Sequence, residues 1–291
     1  MRLTARAKIN LYLHVLGRRA DGYHLLDSLI AFAEFGDEVL IEAAPGFELF
    51  TAGPLAATLR RSLAAPAENL VLRAARALAA SAGTDKGAKL TLEKRLPPAA
   101  GLGGGSSDAA VTLLGLARLW QLRLTSAELA AIGLGLGADL PACLGQPAPV
   151  FVGGIGEALA PAPDLPQAGL LLANPGLPLP TAEVFRGLRG AGASPARFRQ
   201  APRDAAALAA LLAERRNDLE APARRLAPEI DRVLGDLRAL PGLLLARMSG
   251  SGATCFGLFA DLETARRGAA VLAEARPHWW LQATRLAAAD S

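Results

Sequence analysis

Apolar residues at every second position over residues 7–15 predict a β-strand near the start of the chain, because successive side chains of a strand point to opposite faces. One face carries Ile9, Leu11, Leu13 and Val15, and the other carries Lys8, Asn10, Tyr12 and His14. A half-solvated sheet face is the usual reason for such a polar set. Lysine and asparagine are depleted in strands, so Lys8 and Asn10 also favour a functional site on this face.

The same analysis predicts strands and helices along the rest of the chain. Further strands are expected at residues 37–43, 47–50, 89–93, 170–173, 243–246, 255–259 and 279–286. Helices are expected at residues 70–82, from the end of a glycine-rich loop to residue 121, from residue 126 to the glycines at 133–137, and beginning at residue 181. Further helices are expected over residues 195–239, with breaks at 217–218, Pro222 and Pro228, and at residues 262–275. A Pro- and Gly-rich segment at residues 146–166 predicts a boundary between two domains, residues 1–150 and 151–291.

A glycine-rich loop lies between a predicted strand and a predicted helix. Its residues are Pro97, Pro98, Ala99, Ala100, Gly101, Leu102, Gly103, Gly104, Gly105, Ser106 and Ser107. Glycine lets the backbone approach a ligand, and a helix N-terminus directs free N–H groups and a partial positive charge at one point, which suits a phosphate. Ser106, Ser107 and Asp108 are good N-cap residues, and Asp108 is expected in the first turn, where it favours the helix dipole.

Other types of glycine loop fit these residues poorly. No Lys-Ser/Thr pair follows the glycines, which excludes a Walker A loop. The spacing Gly101-x-Gly103-x-x-Ser106 lacks the third glycine of a dinucleotide-binding loop. A flexible linker is disfavoured because strong strand and helix patterns flank the loop.

Two further stretches carry candidate chemistry. Asp139 is the only charged residue between Glu128 and Glu157, and its apolar surroundings predict a buried carboxylate that needs a partner or a function. Capping of a helix that starts at residues 140–141 explains Asp139 equally well. An Asp-Gly turn precedes Tyr23 and His24, which suit the face and edge of a nucleobase, although such a pair also serves simple packing.

Composition narrows the possible functions. A hydrophobic content of 52% indicates a globular chain, and a net charge of +4 fits an anionic ligand. The arginine pairs are scattered and lack interleaved aromatics, which disfavours nucleic acid. Cys143 and Cys255 are expected to be reduced and buried, and a zinc site is disfavoured. With no run of 18 uncharged apolar residues and no signal-peptide pattern, we expect a cytoplasmic protein without a membrane segment.

Three motifs, taken in order, resemble those of the GHMP small-molecule kinases (galactose, homoserine, mevalonate and phosphomevalonate kinases). They are the strand motif Lys8-Ile9-Asn10, the Gly-Leu-Gly-Gly-Gly-Ser-Ser loop at 101–107 and the Ser-Gly-Ser-Gly-Ala loop at 249–253. Within the family, four stretches are similar to a member whose substrate is a sugar alcohol joined to cytidine diphosphate. They are residues 7–11, the Arg-Ala-Asp-Gly-Tyr-His motif at 19–24, residues 137–141 and Asn-Pro-Gly at 174–176.

The resemblance implies an α+β, two-lobed GHMP-kinase fold. It implies an N-terminal ATP-binding lobe and a ferredoxin-like C-terminal lobe, with the active site in the cleft between them. ATP would be the co-substrate, accompanied by Mg²⁺, and the acceptor would be the hydroxyl of the cytidyl diphosphate sugar alcohol. Neither nucleic acid nor membrane would be a partner, and the chain would be a monomer or a weak homodimer.

The resemblance also implies a role for each matching residue. Asp139 would be the general base, and Lys8 beside it would keep Asp139 ionised and stabilise the developing alkoxide. Asn10 would hold the substrate near that hydroxyl. Tyr23 and His24 would recognise the cytosine, with Thr181 and Phe185 lining the cytidine side. Residues 97–107 would wrap the ATP phosphates, Gly250, Ser251 and Gly252 would close the other side of the phosphate site, and Asn69 and Lys94 would approach the adenosine.

Two departures and two alternative functions remain. Ala99-Ala100 stand where such kinases often have glycines, and Arg6 stands where proline is common, which puts nucleotide affinity in doubt rather than chemistry. A GHMP kinase of another small alcohol is one alternative, and Tyr23 with His24 argues against it. A nucleotide-binding regulator without catalysis is the other, and it needs neither Lys8 nor Asp139.

Overall fold

A computed structural model describes residues 1–63, 65–189 and 192–288. Its strands are β1 Arg2–Arg18, β2 His24–Ala44, β3 Phe47–Ala52, β4 Gly87–Glu93, β5 Val150–Gly154, β6 Ala158–Pro161, β7 Gly169–Asn174, β8 Leu243–Met248, β9 Cys255–Phe259 and β10 Trp280–Arg285. Its α-helices are α1 Ala56–Ser62, α2 Leu70–Ala82, α3 Gly104–Leu119, α4 Ser126–Leu134, α5 Leu140–Leu144, α6 Thr181–Arg186, α7 Ala205–Ala213, α8 Glu220–Leu226, α9 Glu229–Arg238 and α10 Leu262–Ala275.

The chain forms two compact units, and each unit collects three segments. The first contains Met1–Ala7, Phe35–Pro98 and Gly103–Gln146, and the second contains Lys8–Glu34, Ala99–Leu102 and the chain from Pro147 onward. The last division lies close to the boundary expected at residue 150. The Pro- and Gly-rich composition of residues 146–166 indicates a boundary there, but it does not predict how the long strands β1 and β2 are divided between the two units.

In the first unit, helices cover a sheet. The C-terminal half of β2 pairs antiparallel with β4, and β4 pairs parallel with β3. Asn69 caps α2 by accepting from the Val71 amide, and Gly83 ends the helix with φ 59°, which confirms the predicted bounds. Gly115 of α3 leaves no room for a larger residue, because a Cβ at this position would lie 2.4 Å from Ile41 Cδ1. Helix α3 therefore lies directly on the sheet.

The second unit contains a four-stranded antiparallel sheet in the order β10-β7-β9-β8. With the intervening helices, the chain order is β-α-β-β-α-β, which is the ferredoxin-like arrangement expected for the C-terminal half. The apolar stripe of α9, at Ile230, Val233, Leu234 and Leu237, is buried in one core with Phe259. In the same unit the N-terminal half of β2 pairs with β5, and β5 pairs with β6.

The first strands are longer and more deeply buried than the pattern predicts. Strand β1 has 17 residues and β2 has 21, whereas only residues 7–15 and 37–43 were expected. Lys8, Asn10 and His14 are each 4% exposed, so a half-solvated face, the usual alternative for such a polar set, does not apply here. Alternation of polar residues usually reflects solvent, but here the rest of the chain covers both faces.

The region 195–239 is less helical than its composition predicts. Residues 195–204 form no helix, and within them the Ala196 amide and the Arg197 guanidinium are bound to the Asp27 carboxylate of β2. Pro222 does not break a helix but lies in the first turn of α8, where a missing amide hydrogen costs nothing.

Two further features of the structure are the environment of the cysteines and the length and polarity of the helices. Cys143 and Cys255 are both buried thiols, as expected. In the described parts of the chain, the helices are too short or too polar to cross a membrane.

Candidate active site

Helix α3 begins without a capping side chain. Its N-cap is Gly103 with φ 60°, which makes no side-chain capping hydrogen bond, whereas Asn69, Thr125, Asp204 and Asp261 cap other helices. The first amides of α3 therefore have no partner within the helix and can bind an anion. The caps expected at Ser106, Ser107 and Asp108 are wrong, because these residues lie inside the helix and Asp108 lies in its second turn.

The glycine loop lies against the second Gly/Ser loop at residues 249–254. Ser249 Oγ donates to the Gly101 carbonyl over 2.9 Å, and the Thr254 amide donates to the Ala100 carbonyl over 3.2 Å. Gly101 has φ 75°, and a Cβ there would lie 2.3 Å from the Ser249 carbonyl oxygen. Gly101 is therefore required by the neighbouring loop as well as by its own backbone conformation.

Two buried asparagines hold the second loop. Asn217 donates both amide hydrogens, to the carbonyls of Met248 and Gly250, each over 2.8 Å. Asn174 Nδ2 donates to Thr254 Oγ1 over 2.9 Å. The sequence pattern indicates Asn217 only as a break in a helix. The signal that could have identified it is an Asn-Asp pair interrupting an apolar helical pattern.

Lys8 and Asn10 belong to one buried chain of hydrogen bonds. Lys8 Nζ donates to Asn10 Oδ1 over 2.8 Å, and Asn10 Nδ2 donates to Ser28 Oγ over 2.9 Å. The backbone amide of Asn10 donates to Ser249 Oγ over 3.1 Å, and the backbone amide of Lys8 donates to the Leu102 carbonyl over 2.8 Å. The predicted lysine and asparagine are thus tied to both glycine loops.

Asp139 takes the position of an N-cap to α5 without acting as one. Its side chain makes no capping hydrogen bond, and the residue is half-buried rather than buried as expected. Helix α5 is held from two sides: Ser107 Oγ donates to Cys143 Sγ over 3.5 Å, and Gly133 of α4 lets Leu140 approach so closely that a Cβ there would lie 2.6 Å from Leu140 Cδ2. These contacts fix the position of Asp139.

Tyr23 and His24 follow the predicted turn, and their side chains lie in different environments. Tyr23 is 60% exposed. His24 stacks on Phe185 with ring centroids 5.2 Å apart and an interplanar angle of 29°. Burial and, to a lesser extent, the charge of Arg18 lower the pKa of the His24 imidazole. Thr181 Oγ1 lies 2.8 Å from Ser251 Oγ, which joins the start of α6 to the second loop.

The Lys94 side chain lies in a buried cluster of titratable groups. Its ammonium is buried between the carboxylates of Asp37 and Asp108, 3.0 Å from Asp108 Oδ2. Burial opposes its charge, but Asp108 and Asp37 outweigh burial and raise the pKa of Lys94. Burial raises the pKa of Asp108 well above its ordinary value, against the effect of Lys94 and with that of Asp37. The amine is therefore engaged in the interior of the unit, and Asn69 serves as the cap of α2.

No group of three or more His, Cys, Asp or Glu residues that could hold a metal ion occurs in the described ranges. Magnesium usually keeps several waters and binds proteins through one or two carboxylates together with substrate phosphates. A magnesium ion that binds together with a nucleotide would therefore need few protein ligands.

Comparisons with known proteins agree with this geometry. The 4-diphosphocytidyl-2-C-methyl-D-erythritol kinase of Rhodospirillum rubrum is 52% identical over 97% of this chain and 91% of that protein. A protein of the same name from Cereibacter sphaeroides is 53% identical over 97% and 98% of the two chains. A crystal structure of 4-(cytidine 5'-diphospho)-2C-methyl-D-erythritol kinase matches with a TM-score of 0.78 and 38% identity, covering 99% and 100% of the two chains.

The family models match both halves of the chain. The GHMP kinases N terminal domain matches residues 69–146, which include the glycine loop and Asp139, and the GHMP kinases C terminal model matches residues 195–278, which include the second loop. These matches and the relatives of about half identity show that the chain belongs to the GHMP kinase family.

Proposed function

We propose that this chain transfers the γ-phosphoryl group of ATP to the 2-hydroxyl of 4-diphosphocytidyl-2-C-methyl-D-erythritol, giving the 2-phosphate and ADP. The reaction belongs to the non-mevalonate route to isoprenoid precursors. The observation that carries the proposal is the buried hydrogen-bond chain from Lys8 through Asn10 to Ser249, which ties a lysine to both glycine loops. The similarity to kinases of that name over nearly the whole chain supports the choice of substrate.

ATP binding is assigned to the glycine loop and the start of α3. Phosphoryl transfer depends on positioning and charge stabilisation more than on covalent chemistry by the protein. The uncapped amides after Gly103 supply donors for phosphate oxygens. Gly250, Ser251 and Gly252 line the other side of the phosphates. Mg²⁺ accompanying the ATP would supply neutralisation of phosphate charge.

The acceptor hydroxyl is assigned to Asp139, Lys8 and Asn10. The Asp139 carboxylate accepts the hydroxyl proton, as a general base must. The Lys8 ammonium stabilises the negative charge that develops on the oxygen. Asn10 directs its carbonyl oxygen at Lys8 Nζ over 2.8 Å, which holds the ammonium in one position.

The cytosine is assigned to Tyr23 and His24. An exposed tyrosine ring offers a stacking face to the base. A neutral imidazole can accept one hydrogen bond and donate another, and the lowered pKa of His24 favours that neutral form. Thr181 and Phe185 line the cytidine side, and Phe185 also holds the His24 ring by stacking.

ADP release measured with four alcohols tests the proposal: the cytidyl substrate, mevalonate, homoserine and galactose. Turnover on the cytidyl substrate alone is expected. Turnover on another alcohol would keep Lys8, Asp139 and the glycine loop but discard the cytosine site. ATP binding without turnover on any of the four would favour a regulator. Because the reaction consumes ATP, we expect it to occur in the cytoplasm.

A further inference from the structure

Lys94 and Asp108 join the two ends of the glycine loop. Lys94 directly follows β4, and Asp108 lies in the second turn of α3. Their buried side chains are hydrogen-bonded, with Lys94 Nζ donating to Asp108 Oδ2 over 3.0 Å, across 14 residues of sequence. The loop that is assigned to the ATP phosphates is therefore closed at its base by a side-chain contact.

Asp37 of β2 is the third member of this cluster and holds the start of the loop. Its Oδ1 accepts from the amides of Arg95 and Leu96 over 2.6 and 2.8 Å, and its Oδ2 accepts from Lys94 Nζ. The backbone of Lys94 is held as well, because its amide donates to the Ala52 carbonyl over 2.8 Å. Residues 94–96 thus leave the sheet in one defined direction.

Gly104, the first residue of α3, lies on the cluster. A Cβ at this position would lie 3.1 Å from Lys94 Nζ and 3.4 Å from Asp37 Oδ2. The residue that opens the phosphate-binding helix is therefore in near contact with the ion cluster. The cluster sets where α3 begins, and with it the position of the first free amides.

The charges of the cluster also matter for an anion site. Two carboxylates share one ammonium, all three side chains are at most 3% exposed, and Asp108 Oδ1 has no hydrogen-bond partner among the described residues. A buried carboxylate oxygen without a partner is costly when ionised. A net negative charge beside the start of α3 would also oppose phosphate. A proton on Asp108 removes the charge from this buried carboxyl group and leaves the cluster without net charge, and the raised pKa of Asp108 agrees with this.

We propose that Asp37, Lys94 and a protonated Asp108 form a positioning cluster that aligns the start of α3 with the phosphates of ATP while adding no net charge. This inference rests on the proposed ATP-dependent function. It assigns the three residues no contact with substrate. Arg95 is the further charged group at the start of the loop, and its side chain pairs with Glu38 over 2.8 Å.

Asp108→Asn tests whether the Asp108 carboxyl group carries a proton, because asparagine has the shape of the neutral acid. At pH 7 the variant is expected to keep the Kd for ATP, the KM for ATP and kcat within about twofold of wild type. The exposed Asp85→Asn is the matched control. A gain in ATP affinity of about fivefold or more in Asp108→Asn, or a chain that no longer folds, would show that Asp108 is ionised and overturn this part of the proposal.

Asp37→Asn and Lys94→Met test the positioning role, with the surface substitution Lys89→Met as the control. Asp37→Asn keeps an oxygen for the two amides, so it remains informative if Lys94→Met does not fold. We expect the Kd for ATP, measured by calorimetry, to rise about tenfold or more, while kcat at saturating ATP and the KM of the alcohol change less than about threefold.

The outcomes separate this inference from the proposed function. Wild-type binding of ATP together with unchanged binding in a folded Asp37→Asn variant would overturn the cluster's role alone. A variant that only melts at lower temperature, with all kinetic constants unchanged, would overturn it too. Absence of ATP binding by the wild-type chain would overturn the proposed function and this inference together.

Discussion

Asn10 donates an amide hydrogen to Ser28 Oγ over 2.9 Å, and this contact decides which way the Asn10 side chain faces. Ser28 Oγ gives its own hydrogen to the Tyr12 carbonyl over 2.5 Å, so toward Asn10 it can only accept. The carbonyl oxygen of Asn10 is thereby left for Lys8 Nζ. A serine that no motif indicated thus orients the lysine assigned to the acceptor hydroxyl.

Ser28→Ala removes this orientation. We expect kcat to fall roughly tenfold, and the free energy of unfolding to fall by about 1–3 kcal/mol, because a buried amide loses its acceptor. Steady-state kinetics and urea unfolding measure both. Ser62→Ala, at an exposed helix end, is the control. An unchanged kcat in a destabilised Ser28→Ala would mean that Ser28 acts on stability alone.

Asp139→Asn should lower kcat by roughly 10²- to 10⁴-fold, the usual contribution of a general base. ATP binding, measured by calorimetry without the alcohol, should not change. The exposed Asp164→Asn is the control for loss of a carboxylate. Near-normal turnover in Asp139→Asn would remove Asp139 from the mechanism.

Tyr23→Ala should raise the KM of the cytidyl substrate by about tenfold or more, because stacking of a base on an aromatic ring contributes about 1–3 kcal/mol. The KM of ATP and the unfolding midpoint should stay the same, since the ring is 60% exposed. Tyr23→Phe keeps the stacking face and should behave like wild type. Equal rises in both KM values would count against a cytosine site at Tyr23.

The pH dependence of substrate binding should report on His24. Its folded-state pKa is lowered from 6.5, first by burial and then by Arg18, so the ring is neutral at pH 7. The KM of the cytidyl substrate should be constant above pH 6.5 and rise as pH falls through the lowered pKa. The contribution of His24 to the free energy of unfolding should depend on pH in the same direction. It is fully present above the pKa of His24 in the unfolded chain, and it is lost as pH falls through the lowered pKa of the folded chain.

Arg18→Gln checks the cause of this behaviour. Loss of the neighbouring positive charge should raise the pKa of His24, and the increase in KM should then begin at a higher pH. The exposed Arg123→Gln should leave the profile in place. A pH profile that does not respond to Arg18→Gln, or one that His24→Asn leaves unaltered, would assign the titration to another group.

Ala99→Gly should stabilise the chain. Ala99 has φ 51°, and the left-handed conformation costs an L-residue about 1–2 kcal/mol. Glycine relieves that strain but gains about 0.4–1 kcal/mol of unfolded-state entropy, which leaves a net gain on the order of 0.5–1 kcal/mol. Urea unfolding measures the effect. Ala100→Gly is the matched control, because Ala100 is buried without a positive φ, and it should destabilise. Equal effects at both positions would refute the strain at Ala99.

Local sequence determined the elements whose signals lie within a few residues. Asn69 and Gly83 bound α2, and the Thr125–Glu128 capping box opens α4, because a cap needs only its own side chain and the next turn of backbone. The glycine loop before α3 and the Asp-Gly turn before Tyr23 were predicted for the same reason. Lys8 and Asn10 were identified as residues of unusual type for a strand, and the structure joins them.

Tertiary structure alone decided the partners that come from distant parts of the chain. Ser28 lies 18 residues from Asn10, Asn217 lies 31 residues from Met248, and Asp37 lies 57 residues from Lys94. Hydrogen bonds and ion pairs act over a few ångströms, so such pairs leave no periodic pattern in the sequence. The same limit holds for Lys94: the resemblance implied a place near the adenosine, and only the fold shows which carboxylates enclose its ammonium.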